Sequence, residues 1–302
     1  MRKIILDTDL GSDCDDCGAL AILNNFHNAG KCSILAIMCN IANSNSPVSV
    51  KHINSWFGNS HIPIAQTNDD IFKDNERVQV YTKYLAKEYL ENNPVPEIED
   101  AVTLYRKLLA QNKDVAIISI GFLNNIAALL NSEPDSISSL NGVELVKAAV
   151  SKIYVMGGNF SGEEKTAEYN IRIDIPSAQT VSEKCPVPIV YLGWEIGMAV
   201  RTGHTLWEVD KNSPVKKGYE IYANHYNETK EDGTYDRQSW DPLTAYYAVS
   251  DSASFMHEST PKTISFDDEG FTHVKDGGKD TFLILDDAKK AEEVIEQMIA
   301  AK

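Results

Sequence analysis

The sequence predicts an α/β fold: a single domain over residues 1–302, a mainly parallel twisted sheet with helices on both faces, and an active site at the carboxyl ends of the strands. Three observations carry this expectation. Short apolar runs alternate with segments of helical periodicity, the pattern of βαβ units and parallel sheets. The runs are apolar throughout rather than at every second residue, so both sheet faces are covered and ligands bind in the crevice beyond the strand ends. A chain of 302 residues, 43% hydrophobic and 24% charged, also builds a large core without disulfide or metal staples.

Residues 3–6 form the first apolar run, which stops at Asp7. An acidic loop follows, and over residues 17–26 apolar side chains recur at helical spacing through Leu20, Ile22 and Leu23. Residues 33–38 repeat the strand signal, 48–57 the helix, and 62–65 give a third short strand behind a proline, completing βαβαβ. Residues 114–119 are another continuous run, followed by an alanine-rich and leucine-rich helix to Leu130. Residues 153–156 and 189–192 supply further buried strands. Near the C-terminus, residues 263–266 and 281–285 read as strands around a Gly277-Gly278 turn, before a helix over 288–299. The polar stretches 67–77 and 227–237 read as loops over the crevice.

The charge balance narrows the partners. With 28 Lys and Arg against 44 Asp and Glu, the net charge of −16 repels phosphate backbones and anionic lipid headgroups, so neither nucleic acid nor a membrane is expected as a partner. No stretch approaches the roughly 20 apolar residues of a membrane helix. Residues 1–9 lack the basic, apolar and small-residue succession of a secretory leader, and the expected location is cytoplasmic. The five cysteines, at 14, 17, 32, 39 and 185, are odd in number and sit in apolar or acidic sequence, unlike a disulfide framework. Carboxylates beside Cys14 and Cys17 oppose thiolate formation, so this Cys-x-x-Cys pair is not read as a redox motif.

The acidic loop carries the chemistry. Asp7, Asp9, Asp13, Asp15 and Asp16 crowd one turn with Gly11, and like charges this close are costly without a cation. All the donors are oxygens with no nearby histidine pair, which favours a hard cation such as Ca²⁺ or Mg²⁺. An EF-hand does not fit. Counting from Asp7, glycine falls at the fifth position and Gly18 stands at the twelfth, where that loop wants glutamate. Helix-capping aspartates on a solvated loop account for one or two of these residues, not five.

The strand, Asp7, Asp9, Gly11, Asp15, Asp16 and the small-residue helix together resemble the N-terminal signature of the inosine-uridine-preferring nucleoside hydrolase family. Four further segments match in the family's order: residues 37–43 ending Ile-Ala-Asn; residues 120–125, similar to Thr-Gly-Pro-Leu-Thr-Asn; Met156-Gly157-Gly158 with Glu168-Tyr169-Asn170; and Asp241-Pro242. The resemblance covers the chain from Lys3 to about Tyr247. It implies Ca²⁺-dependent hydrolysis of the N-glycosidic bond of ribonucleosides to ribose and free base, by a homodimer or homotetramer. It also implies that Asp9 holds Ca²⁺ and acts as general base toward the attacking water, with Asp16, Asp241 and the Ile120 carbonyl as the remaining protein ligands. Asp15, Asn170 and Asp241 would bind the ribose 2′ and 3′ hydroxyls and Glu168 the 5′ hydroxyl, with Asn43 and Met156 lining the sugar pocket. The chemistry agrees, because cleavage builds oxocarbenium-like positive charge that surrounding carboxylates stabilise.

The sequence departs from the family pattern in three places. The acidic loop is two residues longer than the common form, so Asp13 competes with Asp15 for one position; anchoring on the helix favours Asp15. The asparagine six residues before the glutamate is replaced by Gly162, with Asn159 the nearest alternative. Trp240 stands where the inosine-uridine type has a histidine that protonates the leaving base. This tryptophan resembles the purine-preferring branch, in which stacking activates the base, so Trp240 is the expected leaving-group activator and purines the expected substrates. The plainer alternative packs Trp240 in the core with Tyr246 and Tyr247. His225, Tyr222, Tyr226 and Arg237 lie just upstream with roles left open, and Asn43 and Asn170 can equally be turn formers. Two other classes compete: a ribose-binding or nucleoside-binding protein without turnover, which leaves Asp9 without a purpose, and a phosphohydrolase of the haloacid dehalogenase type, which leaves Glu168, Asn170 and Asp241 unexplained.

Overall fold

The computed structural model describes residues 1–73, 75–162, 166–250 and 253–301. The N-terminal half runs β1 (Arg2–Thr8), α1 (Asp15–Asn28), β2 (Cys32–Cys39), α2 (Asn45–Trp56), β3 (Ile64–Gln66), α3 (Thr82–Leu90), β4 (Glu99–Asp100), α4 (Ala101–Gln111), β5 (Val115–Ser119), α5 (Asn124–Leu130) and α6 (Gly142–Ala149). It continues with β6 (Val150–Met156), α7 (Tyr169–Ile173), α8 (Ile175–Lys184), β7 (Ile189–Leu192), α9 (Trp194–Ala199), β8 (Arg201–Thr202), α10 (Pro214–Tyr226), β9 (Arg237–Gln238) and α11 (Trp240–Ser250). The chain closes with β10 (Met256–Glu258), β11 (Lys262–Phe266), β12 (Thr272–Asp276), β13 (Thr281–Leu285) and α12 (Ala288–Ala300).

Nine strands form one sheet in the order β10-β13-β7-β6-β5-β1-β2-β3-β4, and every pairing is parallel except β10 with β13. The continuous apolar character of β1 has a direct cause. Ile4 and Leu6 enter the core shared with α1, α10, α11 and α12, whereas Ile5 enters the opposite core with α4, α5, α6 and α8. All three are fully buried. Both faces of the strand therefore gain from burial, each side chain contributing about 1.5–3 kcal/mol relative to exposure.

The strand order reverses at β1. The chain first builds outward through β2, β3 and β4, then returns to the other side of β1 with β5, β6 and β7. The crevice of an open α/β sheet lies beyond the strand ends at such a reversal, here between the ends of β1 and β5. Asp7 pairs with Ser119 in register, so Asp9 and Ile120 leave the sheet side by side.

The C-terminal region differs from the sequence expectation. The strand at 263–266 pairs antiparallel with β12, joined through 267–271, while Gly277 and Gly278 lead instead into β13, which joins the main sheet beside β7. The sequence Thr-His-Val-Lys-Asp of β12 is polar and almost wholly exposed, which removes the apolar signal that marks a strand. Among the described residues, no helix is long and apolar enough to cross a membrane.

Candidate active site

After β1 the chain turns sharply through residues 9–14 into α1. Gly11 takes φ +126°, and a Cβ there would lie 2.5 Å from the Val78 carbonyl oxygen, so the turn requires glycine. The structure then sorts the five loop aspartates among separate partners. Asp7 is fully buried below the crevice: its Oδ1 accepts from Asn40 Nδ2 at 2.9 Å and Asn125 Nδ2 at 3.2 Å, and its Oδ2 from the Tyr105 hydroxyl at 2.9 Å. Burial nevertheless pushes its carboxyl up to about 7. Asp13 pairs with Arg237, whose Nε lies 2.9 and 3.1 Å from its two oxygens and whose Nη2 adds a third contact. Two of the five carboxylates are thus satisfied without a cation.

The others are not. Asp15 and Asp16, in the first turn of α1, meet Asp241 in the first turn of α11, with one carboxylate oxygen from each lying within 4.8 Å of the other two. The Asp241 amide donates to Asp15 Oδ2 at 3.1 Å, and the Thr8 hydroxyl donates to Asp16 Oδ1. Asp16 Oδ2 is buried and has no hydrogen-bond partner among the described residues. Burial first, and then repulsion between the carboxylates, pushes Asp15, Asp16 and Asp241 well above the usual carboxylate range. Asp9 is pushed up to about 7, again chiefly by burial. An orphaned carboxylate oxygen in an all-oxygen group is costly alone, and these residues fit a hard divalent cation.

Of the ten site residues expected from sequence, nine line one cavity of about 210 Å³: Asp9, Asp15, Asp16, Ile120, Met156, Glu168, Asn170, Trp240 and Asp241. Asn43 is buried but does not line it; its Oδ1 accepts from the Asn45 amide at 2.9 Å, the contact of a turn former. Asn170 Nδ2 reaches the Ile120 carbonyl at 3.4 Å and the Met156 carbonyl at 3.3 Å, tying the ends of β5 and β6 together. Glu168 caps α7, accepting from the amides of Asn170 at 2.9 Å, Ile171 at 3.1 Å and Gly158 at 3.3 Å, while burial pushes it up to about 7.

The more exposed end of the cavity carries aromatic rings and guanidinium groups. Trp240 is half-buried, with Nε1 donating to the Trp194 carbonyl at 2.9 Å. A Cβ on Gly197 would fall 2.0–2.5 Å from three atoms of its pyrrole ring, so the indole lies against the glycine backbone. Arg237 stands over the Trp240 ring at 5.7 Å and Arg77 over the Tyr169 ring at 5.3 Å. Tyr246 instead contacts Phe26 and Phe255, and Tyr247 contacts Tyr154. Of the four upstream residues with open roles, Arg237 alone lines the cavity; His225 lines a separate groove with Tyr84 and Ile221. Both polar stretches deliver a residue here, Arg77 from 67–77, in which Asp74 lies outside the described residues, and Arg237 from 227–237. Arg77 and Trp194 were not legible as site residues, because neither stands in a segment of family resemblance.

The sequence model of the inosine-uridine preferring nucleoside hydrolase family matches residues 4–298. The chain belongs to this family. It is 31% identical over 104 residues to the pyrimidine-specific ribonucleoside hydrolase RihA of Salmonella agona (strain SL483), a match spanning 33% of this chain and 30% of that protein. Among solved structures it is similar to the inosine-uridine preferring nucleoside hydrolase of Bacillus anthracis, with TM-score 0.75 and 16% identity over 99% of each chain. It is likewise similar to the purine-preferring ribonucleoside hydrolase of Gardnerella vaginalis, with TM-score 0.73 and 18% identity over 99% of this chain and 98% of that one. These structural likenesses show a shared nucleoside hydrolase fold.

Proposed function

We propose that this chain hydrolyses the N-glycosidic bond of ribonucleosides, purines preferred, in a Ca²⁺-dependent reaction that releases ribose and free base. The observation that carries the reading is the group of buried carboxylates at the sheet reversal, with Asp16 Oδ2 unpartnered, opening into the same cavity as Trp240. Asp9, Asp16, Asp241 and the Ile120 carbonyl would hold the cation. When bound, it supplies positive charge that lowers the pKa of a water molecule and fixes its position. Asp9 accepts the proton from the attacking water, and its carboxylate faces the positive charge growing on the sugar. Asp15, Asn170 and Asp241 orient the ribose through its 2′ and 3′ hydroxyls. Glu168 serves the 5′ hydroxyl from a carboxylate already locked by three amides. Trp240, with Trp194 beside it, offers an indole surface suited to the larger π face of a purine.

The test is base release from a panel of purine and pyrimidine ribonucleosides, followed by chromatography, with Asp9→Ala and chelator-treated protein alongside. Purine base released faster than pyrimidine, and lost by at least about 100-fold in both controls, is the expected result. Calcium-dependent binding of nucleosides with no base released replaces the hydrolase by a nucleoside-binding protein.

A further inference from the structure

We propose that Arg77 is the leaving-group residue of this site: its guanidinium stabilises the departing base as an anion, where a general acid would otherwise protonate it. This rests on the hydrolase reading above. Breaking the N-glycosidic bond leaves positive charge on the sugar and negative charge on the base, and the cavity is polarised in the same sense. Asp9, Asp15, Asp16 and Asp241, all at most 5% exposed, occupy the buried end, while Arg77 and Arg237 stand at the more exposed end with Tyr169 and Trp240. Among the described residues no histidine, lysine or cysteine lines the cavity, and the reading above gives its Asp9, Asp15, Asp16, Glu168 and Asp241 carboxyls to the cation and the ribose.

The two arginines are not equivalent. Arg237 is held by both oxygens of Asp13, which neutralises its charge and fixes it beside Trp240. Arg77 has no ion pair within 4 Å and no side-chain hydrogen bond among the described residues; it stands over the face of the Tyr169 ring, and its charge acts on Asp9 only at longer range. A guanidinium keeps its charge at every working pH, so it holds an anion and delivers no proton. Its five N–H donors suit the nitrogen and carbonyl acceptors of a base. In the step, the C1′–N bond breaks and its electron pair stays on the base nitrogen. The water oxygen joins C1′ as hydroxide, and its proton passes to Asp9 and then to solvent. The base anion takes one proton from solvent after it leaves, so the sum is addition of one water.

The test compares wild type, Arg77→Met and Arg77→Lys on the nucleoside cleaved fastest and on p-nitrophenyl β-D-ribofuranoside, whose leaving group is a stable anion unaided. In Arg77→Met, kcat on the nucleoside is expected to fall about 100-fold and on the p-nitrophenyl riboside less than about threefold, with added guanidinium ion restoring part of the nucleoside rate. Arg77→Lys is expected to fall between wild type and Arg77→Met on the nucleoside. Equal losses on the two substrates, or no loss on the nucleoside, overturn the role of Arg77 while wild-type turnover keeps the hydrolase reading standing. Wild-type protein that turns over neither substrate overturns both.

Discussion

At the residue scale, the site depends on two close approaches that only a missing side chain permits. Gly197 lets Trp240 lie against α9, and Gly121 lets the chain after β5 press on Asp9. A Cβ at Gly121 would lie 2.7 Å from the Cβ, amide nitrogen and Oδ1 of Asp9. The conflict is purely steric, and it involves the backbone and Cβ of Asp9 as well as its carboxylate. Gly121→Ala is therefore expected to displace Asp9 and cut kcat by about 100-fold, the order associated with a misplacement of 1 Å. Steady-state assays with a circular dichroism spectrum check this: a folded variant with wild-type kcat shows that Asp9 does not need its present position. The aspartates teach a related lesson. The loop's dense charge was visible in the sequence, but its meaning differs for each residue, because Asp7 is hydrogen-bonded by Asn40, Asn125 and Tyr105, and Asp13 is paired with Arg237. Only the remaining carboxylates call for a cation.

At the element scale, helices that carry a site residue are anchored by the site itself. The first turn of α11 leaves amide donors unsatisfied, and Asp15 Oδ2 accepts one of them from Asp241, so α1 and α11 are joined through the acidic group. Elsewhere the caps are conventional. Asn141 Oδ1 accepts from the Glu144 amide at 3.0 Å and Glu144 Oε2 from the Asn141 amide at 3.1 Å, a reciprocal box that starts α6. Asn141→Ala is expected to cost about 1 kcal/mol without affecting kcat, read as a lower urea midpoint at unchanged slope. An unchanged midpoint shows that packing of α6 on α4 and α5 alone holds the helix. The core strands β1, β2, β5, β6 and β7 were legible because each carries a continuous apolar run, whereas the short or polar β4, β8, β9, β10 and β12 were not, nor were several helices, α3, α4 and α8 to α11 among them. Helix α11 shows why. Its Trp-Asp-Pro start places a buried aspartate and a half-buried tryptophan in one turn, and its opposite faces are also buried, so no amphipathic stripe marks it.

At the scale of the whole molecule, the acidic group couples stability to pH and metal. The folded-state pKa values of Asp9, Asp15, Asp16 and Asp241 lie above those of an unfolded chain, so between the ordinary carboxylate range and about 7 the folded state holds protons that the unfolded state has released. Stability of the chelated protein must then fall as pH rises through that window, and a cation that replaces those protons must restore it. Added Ca²⁺ at 100 times its Kd is expected to contribute about 2.7 kcal/mol at pH 7.5 and less at pH 5.5, where protons compete. Thermal melts with chelator and with Ca²⁺ at both pH values check this; identical melting temperatures at pH 7.5 refute the cation site. What the sequence by itself determined is the parallel α/β architecture, the position of the acidic loop at a strand end and the family, because burial periodicity and short motifs are local properties of a chain. Tertiary structure alone decided which of those acids meet Asp241, that Arg237 returns across 224 residues to neutralise Asp13, that Asn43 is not part of the cavity lining, and that Arg77 lines the cavity over the Tyr169 ring. Those outcomes follow from the strand order and the routes of two polar loops, and contacts between distant segments leave no periodic trace in the residues that make them.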